Sequence, residues 1–256
     1  MKCPNCGAQT EKRLDDGRYK CTCCLSIFSA DEQQTNNSTL AKNVFDIMMK
    51  KSFSNQSTSI SSTEMSAEEV YEKSISGVAE ILCVDLNSAG SGFIVSDKGY
   101  VVSNAHVILN DNGGFAKEIY CRINGEVIPA RVVEYFPDKK PDLSLLQLAA
   151  MPRGASAVTL GNSDNVKIGS TVYAIGNSKG DGLCITKGIV SDKNRQAFGA
   201  NCIMADVATN PGNSGGPLFD VNGKVVAVCV GQRVDAEGMR YFIPINYAKD
   251  AYKKYI

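Results

Sequence analysis

Ser214, His106 and Asp142 are the residues of this chain whose types and settings could do nucleophilic chemistry together. Ser214 sits in Asn210-Pro211-Gly212-Asn213-Ser214-Gly215-Gly216-Pro217, a serine between glycines that leads into Leu218-Phe219. Glycine enters φ > 0 conformations closed to other residues, so a turn of this composition can be tight. It can aim the N–H groups of Gly212 and Ser214 at one point, as a developing oxyanion requires. Asn213, between them, is counted with the same oxyanion loop. Taken alone, the loop is an ordinary glycine hairpin carrying a hydroxyl.

His106 is the only histidine, and it follows the run Val101-Val102-Ser103-Asn104-Ala105. Asp142 stands at the entrance to Leu143-Ser144-Leu145-Leu146-Gln147-Leu148, after a loop that holds Pro137, Asp138 and Pro141. Asp138 is the alternative carboxylate. Amide hydrolysis by a serine needs a base that takes the hydroxyl proton and returns it to the leaving amine, and imidazole titrates in the right range. The base needs a carboxylate to hold its tautomer and stabilise the imidazolium. His106, Asp142 and Ser214 meet these needs in the chain order His, Asp, Ser. No cysteine has a histidine partner other than His106, which argues against a cysteine nucleophile.

The elements that would position these residues are short and β-rich. Candidate strands are Val78 to Val84, Ser91 to Val95, Tyr100 to Ser103, Glu118 to Ile123, Glu126 to Glu134 and Leu143 to Leu148. The rhythm resumes after Gly161 at Thr171 to Ile175, Gly188 to Ser191, Asn201 to Ala205, Pro217 to Asp220 and Lys224 to Gly231. Many short strands at this spacing imply a sandwich or a barrel. Asp220-Val221-Asn222-Gly223 is a hairpin signal immediately after the serine loop. From Glu64 to Lys73 the pattern is helical, with Ser66 and Glu69 spaced as a capping box.

Composition limits what these elements belong to. With 256 residues and 43% hydrophobic content the chain can bury one large or two smaller cores. No stretch approaches the run of about 18 apolar residues that a membrane span needs, so none is expected. The formal net charge is zero, which gives no attraction to nucleic acid or to anionic membranes. Met1-Lys2-Cys3-Pro4 lacks the apolar stretch of a secretory leader. Ten cysteines in that setting read as thiols and a metal site in a reducing compartment. A cytoplasmic protein is therefore expected.

The metal site is expected at the front. Cys3-Pro4-Asn5-Cys6-Gly7 and Cys21-Thr22-Cys23-Cys24 are two Cys-x-x-Cys knuckles around the turn signal Asp15-Asp16-Gly17, a pattern that suits tetrahedral thiolate coordination of structural zinc. The candidate ligands are Cys3, Cys6, Cys21 and Cys24, with Cys23 as the alternative fourth; Tyr19 and Phe28 supply an apolar backing. Residues 1–28 thus read as a zinc ribbon, which is a possible docking module for a protein partner. Residues 29–63 are rich in Ser, Thr, Asn and Gln and read as a polar linker. Within it, Leu40, Val44, Ile47 and Met48 fall on one helical face.

From about Ser76 to Tyr247 the sequence resembles an HtrA/Deg-type member of the chymotrypsin-like serine proteases. The motifs that carry the resemblance are Gly90-Ser91-Gly92-Phe93-Ile94-Val95, Val102-Ser103-Asn104-Ala105-His106-Val107-Ile108, Asp142-Leu143-Ser144-Leu145-Leu146, Ala174-Ile175-Gly176-Asn177, Gly188-Ile189-Val190-Ser191 and Thr209 to Leu218. The resemblance implies an all-β fold over 64–256 with two perpendicular six-stranded antiparallel barrels. His106 and Asp142 would come from the first barrel and Ser214 from the second, without a cofactor for catalysis. It also implies a following PDZ domain, for which the chain leaves no room, so substrate capture by such a domain is not expected.

Asn213 stands where digestive relatives have an aspartate that pairs with a newly cut N terminus, so activation by that route is not expected either. In the superfamily the residue six before the nucleophile floors the primary specificity pocket. Here it is Ala208, which implies small or medium apolar side chains before the scissile bond. The polypeptide substrates would be unfolded or flexible proteins. The alternative is a catalytically silent, chaperone-like binding protein that has its oxyanion loop collapsed and is targeted by the ribbon.

Overall fold

The computed structural model describes residues 3, 9, 13–21, 27–29, 64–110, 112–136, 138, 140–232 and 238–256. The chain divides into two units, Met1–Ser61 and Ser62–Ile256. In the first, β1 (Tyr19–Lys20) and β2 (Ile27–Phe28) pair antiparallel, with Tyr19 opposite Phe28. The expected turn is present at Asp15-Asp16-Gly17: Gly17 has φ 84, and Arg18 closes it with its N–H and guanidinium on the Asp16 carboxylate. Cys3, Cys21 and Phe28 are buried in one small cluster against Tyr19. Cys6, Cys23, Cys24 and the amphipathic segment Leu40 to Met48 lie outside the described residues.

The second unit contains two closed barrels. The first comprises β3 (Val78–Cys83), β4 (Ser88–Ile94), β5 (Tyr100–Ser103), β6 (Ile119–Ile123), β7 (Glu126–Tyr135) and β8 (Ser144–Leu148), in the order β3-β4-β5-β8-β7-β6. The second comprises β9 (Thr171–Asn177), β10 (Leu183–Ala197), β11 (Ala200–Ala205), β12 (Pro217–Asp220), β13 (Val225–Gln232) and β14 (Arg240–Pro244), in the order β10-β11-β14-β13-β12-β9.

Successive side chains of a strand point to opposite faces, and here both faces find apolar partners. Ile94, Val101 and Leu146 point into the first barrel beside Ile81, Cys121 and Ile123. Their chain neighbours Phe93, Val102 and Leu145 turn the other way and meet Tyr173, Ile175, Phe219 and Ile243 of the second barrel. That shared cluster is why the strands read as nearly continuous apolar runs. The second barrel has its own interior of Val172, Val190, Ile203, Leu218, Val226 and Phe242.

Two elements differ from the sequence reading. β10 is 15 residues long rather than the short Gly188 to Ser191, because it pairs with β9 up to Ile189 and then changes partner to β11 from Val190 onward. Register shifts between Val190, Asp192 and Arg195 break the alternation there, which hides the strand from pattern reading. β14 is a five-residue strand that runs straight into a helix.

Short helices cover the ends. α1 (Ala67–Ser74) starts with the expected capping box, Glu69 N–H donating to Ser66 Oγ and Ser66 N–H to the Glu69 carboxylate. α2 (Ala105–Ile108) carries His106. α3 (Ile245–Ala251) ends the second barrel, after which Tyr252 packs on Phe136, Tyr255 stacks on Tyr100 at 4.8 Å, and Lys254 and Tyr255 both reach Glu134. No helix among the described residues is long and apolar enough to cross a membrane.

Phe93 is fully buried in the cluster shared by the barrels. Phe93→Ala is expected to cost about 3–5 kcal/mol in urea unfolding. Leu82→Ala, at a half-exposed side chain, should stay within about 0.5 kcal/mol.

Candidate active site

The end of β5 and the start of β8 are laced together before any catalytic group is considered. Asn104 precedes α2, but its side chain does not cap the helix. Its amide instead donates to Asp142 O at 2.7 Å, and its own carbonyl accepts from Ser144 Oγ at 2.9 Å. These two bonds hold His106 and Asp142 side by side. Asp142 accepts the His106 N–H on Oδ1 at 2.9 Å and meets ring Nδ1 with Oδ2 at 2.5 Å. The carboxylate is 6% exposed and the imidazole 35%. A carboxylate so fixed holds the ring proton on Nδ1 and leaves Nε2 as the acceptor, facing the open side. Asp138, the alternative acid, is exposed and accepts the Lys140 N–H instead.

Ser91, in the glycine-flanked start of the first motif, connects this arrangement to the serine loop. Its N–H donates to Ser214 O at 2.8 Å and its Oγ to Gly212 O at 2.7 Å. The same Oγ accepts the Asn177 N–H, and the Ser91 carbonyl accepts Ser103 Oγ. Two loop positions require glycine. Gly215 has φ 84, and a Cβ there would collide with Ser103 Oγ and Ser91 O; Gly212 has φ 100, and a Cβ there would collide with Asn177 O. The loop therefore sits directly on the first barrel.

Within the loop, Lys179 N–H holds the Pro211 carbonyl at 2.8 Å. In a trans peptide the next N–H points the opposite way, so Gly212 N–H is turned away from Lys179. Gly212 N–H and Ser214 N–H donate to nothing among the described residues, whereas Asn213 N–H is committed to Asn210 O at 3.0 Å. The Asn213 N–H thus closes the turn, and its buried side chain packs against Gly176. Ser214 Oγ makes no hydrogen bond to His106; such contacts are often loose before a substrate binds.

A cavity of about 190 Å³ opens beside Ser214, walled by Thr209, Asn210, Pro211, Cys229 and Gly231. Among the described residues no carboxylate lines it. Ala208 is not among these residues: its side chain is exposed and its carbonyl accepts Thr186 Oγ1. The wall is set instead by β13, where the register slips between Cys229 and Gly231. Asp206 has a structural contact, accepting the Ile189 N–H at 2.7 Å. The supporting residues Ser91, Ser103, Asn104, Ser144 and Asn177 carried little signal in the sequence beyond their place in motifs already quoted.

Burial pushes the thiols of Cys83, Cys121, Cys202 and Cys229 up to about 12. Among the described residues no group of three or more His, Cys, Asp or Glu side chains comes together to hold a metal ion, but only two of the four expected zinc ligands are described.

Residues 90–228, more than half of the chain, match the family described as trypsin-like peptidase domain. A probable periplasmic serine endoprotease DegP-like of Pseudomonas fulva is 38% identical over 173 residues, which are 65% of this chain and 34% of that protein. The putative serine protease HhoA of Synechocystis is 34% identical over 167 residues, 62% of this chain and 41% of that protein. Among solved structures, the HtrA-type protease AlgW with a decapeptide aligns with a TM-score of 0.65 at 26% identity, covering 74% of this chain and 67% of that one. The serine endoprotease from Yersinia pestis aligns with a TM-score of 0.64 at 29% identity, covering 74% and 66%.

The chain spans about a third of the length of the DegP-like relatives it matches. Those relatives are named periplasmic, which overturns the expectation of a cytoplasmic protein. The physical reason is that cysteine number does not report the compartment where thiols such as Cys83, Cys121, Cys202 and Cys229 are buried and kept from the thiolate form that oxidation requires. Barrels, motifs and relatives agree: the chain belongs to the trypsin-like peptidase family and is similar to its HtrA/DegP-type serine proteases.

Proposed function

We propose that this chain is a serine endopeptidase that cleaves unfolded or flexible polypeptides with Ser214 as nucleophile, His106 as general base and then acid, and Asp142 as the orienting carboxylate. The observation that carries the reading is the pair of His106–Asp142 bonds beside a serine loop with two uncommitted N–H groups. In the reaction, Ser214 Oγ would attack the substrate carbonyl as His106 Nε2 takes its proton. The Gly212 and Ser214 N–H groups would receive the oxyanion, and His106 would return the proton to the leaving amine. The uncommitted N–H groups favour this over a collapsed, catalytically silent loop. The solved AlgW structures carry bound peptides, which supports polypeptide as the substrate class. The small cavity, which no carboxylate lines among the described residues, supports small or medium apolar side chains before the scissile bond.

A fluorophosphonate probe tests the assignment. Native protein should label, Ser214→Ala should not, and Asp142→Asn should slow turnover by about 10⁴, since the amide favours the wrong imidazole tautomer. No labelling of the native protein under any condition would support the silent alternative.

Ser91→Ala removes the hydroxyl shared by Gly212 O and Asn177 N–H. It should cost about 1–3 kcal/mol in unfolding free energy and lower the labelling rate while leaving the His106–Asp142 contact intact by NMR.

For the N-terminal unit we propose structural zinc held by Cys3, Cys6, Cys21 and Cys24. The support is that Cys3 and Cys21, one from each knuckle, are buried together beside Phe28 in a unit whose small core would otherwise be marginal. Bound zinc would supply folding energy there and no catalytic chemistry. Elemental analysis should find one zinc per chain, lost in a Cys3→Ser, Cys21→Ser double variant that still labels with the probe.

A further inference from the structure

Asp142 is held from two sides. On the β5 side Asn104 donates its amide directly to Asp142 O at 2.7 Å. On the β7 side the tie is indirect: Phe136, the residue after β7, donates its N–H to Leu143 O at 3.2 Å and closes the loop that ends in Asp142. The contact of Asp142 Oδ2 with His106 Nδ1 at 2.5 Å is of the charge-assisted kind, short and directional. A misplacement of about 1 Å, caused by a change far from the chemistry, can slow an enzyme about a hundredfold. Whatever fixes Phe136 therefore bears on the His106–Asp142 pair.

Tyr252 is in place to fix it. Its ring lies 6.5 Å from the Phe136 ring at 50°, inside the range of favourable tilted aromatic pairs. Tyr252 is fully buried in the cluster shared by the barrels, together with Leu143 and Leu145. Phe136 is only partly buried against that cluster, and both residues line a cavity of about 510 Å³ with Val133, Glu134, Tyr135 and Ala251. A side chain beside a cavity lacks contacts on that side, so Phe136 leans on the Tyr252 ring. Tyr252 is itself tied down by the residues that follow it: its carbonyl accepts the Tyr255 N–H at 2.8 Å, and Lys254 and Tyr255 reach Glu134. The Tyr252 hydroxyl is buried and has no hydrogen-bond partner among the described residues. Burial pushes the phenol up, and the charges of Glu134 and Asp142 push it further, so the field of the Asp142 carboxylate reaches this ring.

We propose that Tyr252 is a positioning residue: its ring, acting through Phe136 and the Phe136–Leu143 bond, sets the placement of Asp142 against His106. This role rests on the endopeptidase reading and adds to it a residue that touches neither substrate nor the reacting atoms. The ring carries the effect and the hydroxyl does not. The hydroxyl has no partner to direct, and a buried polar group left unpaired costs stability that a phenylalanine ring in the same place would not.

The test compares variants of the full chain well below their unfolding temperatures, on an unstructured peptide with a small apolar residue before the scissile bond. Tyr252→Leu should lower kcat and the fluorophosphonate labelling rate by about tenfold with KM unchanged, whereas Tyr252→Phe should keep both wild-type rates and be at least as stable. Phe136→Leu should match Tyr252→Leu, and the double variant should be no slower than either single one, because the two rings act in one chain of contacts. Phe242→Leu, a comparable loss in the interior of the second barrel, should lower stability and leave the rates alone. A wild-type rate in Tyr252→Leu, an equal loss of rate in Phe242→Leu, or multiplied losses in the double variant overturns the role. His106 is the only histidine, so its Nδ1–H gives the one imidazole N–H signal of the pair in proton NMR, which should shift in Tyr252→Leu and not in Tyr252→Phe. If the wild type neither labels nor cleaves, the endopeptidase reading falls and that signal alone decides the role: a shift leaves Tyr252 positioning Asp142, and no shift removes it.

Discussion

The active centre depends on one small side chain. Ser91 uses its N–H, its carbonyl and both capacities of its hydroxyl to hold three segments: the serine loop at Ser214 and Gly212, β9 at Asn177, and β5 at Ser103. Buried polar groups are costly unless each is satisfied, and Ser91 is fully buried. Its bonds therefore act as a set, with little slack for any one segment to move independently. Since Ser91 lies on the first barrel and Ser214 on the second, relative placement of His106 and Ser214 is a property of this joint as much as of the apolar cluster behind it.

A division of labour follows. The apolar cluster shared by the barrels supplies non-directional stabilisation that scales with buried area. The polar joint supplies direction. Asn104 illustrates how closely the two are interleaved: it is wholly buried and bonded to Asp142 and Ser144, and its Oδ1 is left without a partner. One buried acceptor goes unsatisfied beside His106 while the backbone around it is held at both ends.

Much of this was legible in the sequence, for identifiable reasons. The strands of the first barrel are short enough and separated by turn signals clearly enough, and the glycine pattern around Ser214 is dense enough, that the elements and the His, Asp and Ser candidates could be placed by type and order. What escaped has physical causes. β10 changes partners through two register shifts, so its faces never settle into a readable period. The cavity wall depends on where β13 slips between Cys229 and Gly231, a register that no local pattern records. Asn213 had the right neighbours, but its N–H turns inward to close the loop. The compartment was misjudged because a count of thiols says nothing about their burial.

The segment after α3 has a consequence for how the molecule comes into being. Tyr252 and Tyr255 close against Phe136 and Tyr100, and Glu134 is gripped by Lys254 and Tyr255. These contacts join strands of the first barrel to residues made more than a hundred positions later, and contacts of such separation form late because the intervening loop must first be closed. During synthesis the first barrel therefore emerges without this cover, and Tyr100, Glu134 and Phe136 stay unbraced on that side until Tyr252 to Tyr255 have been made.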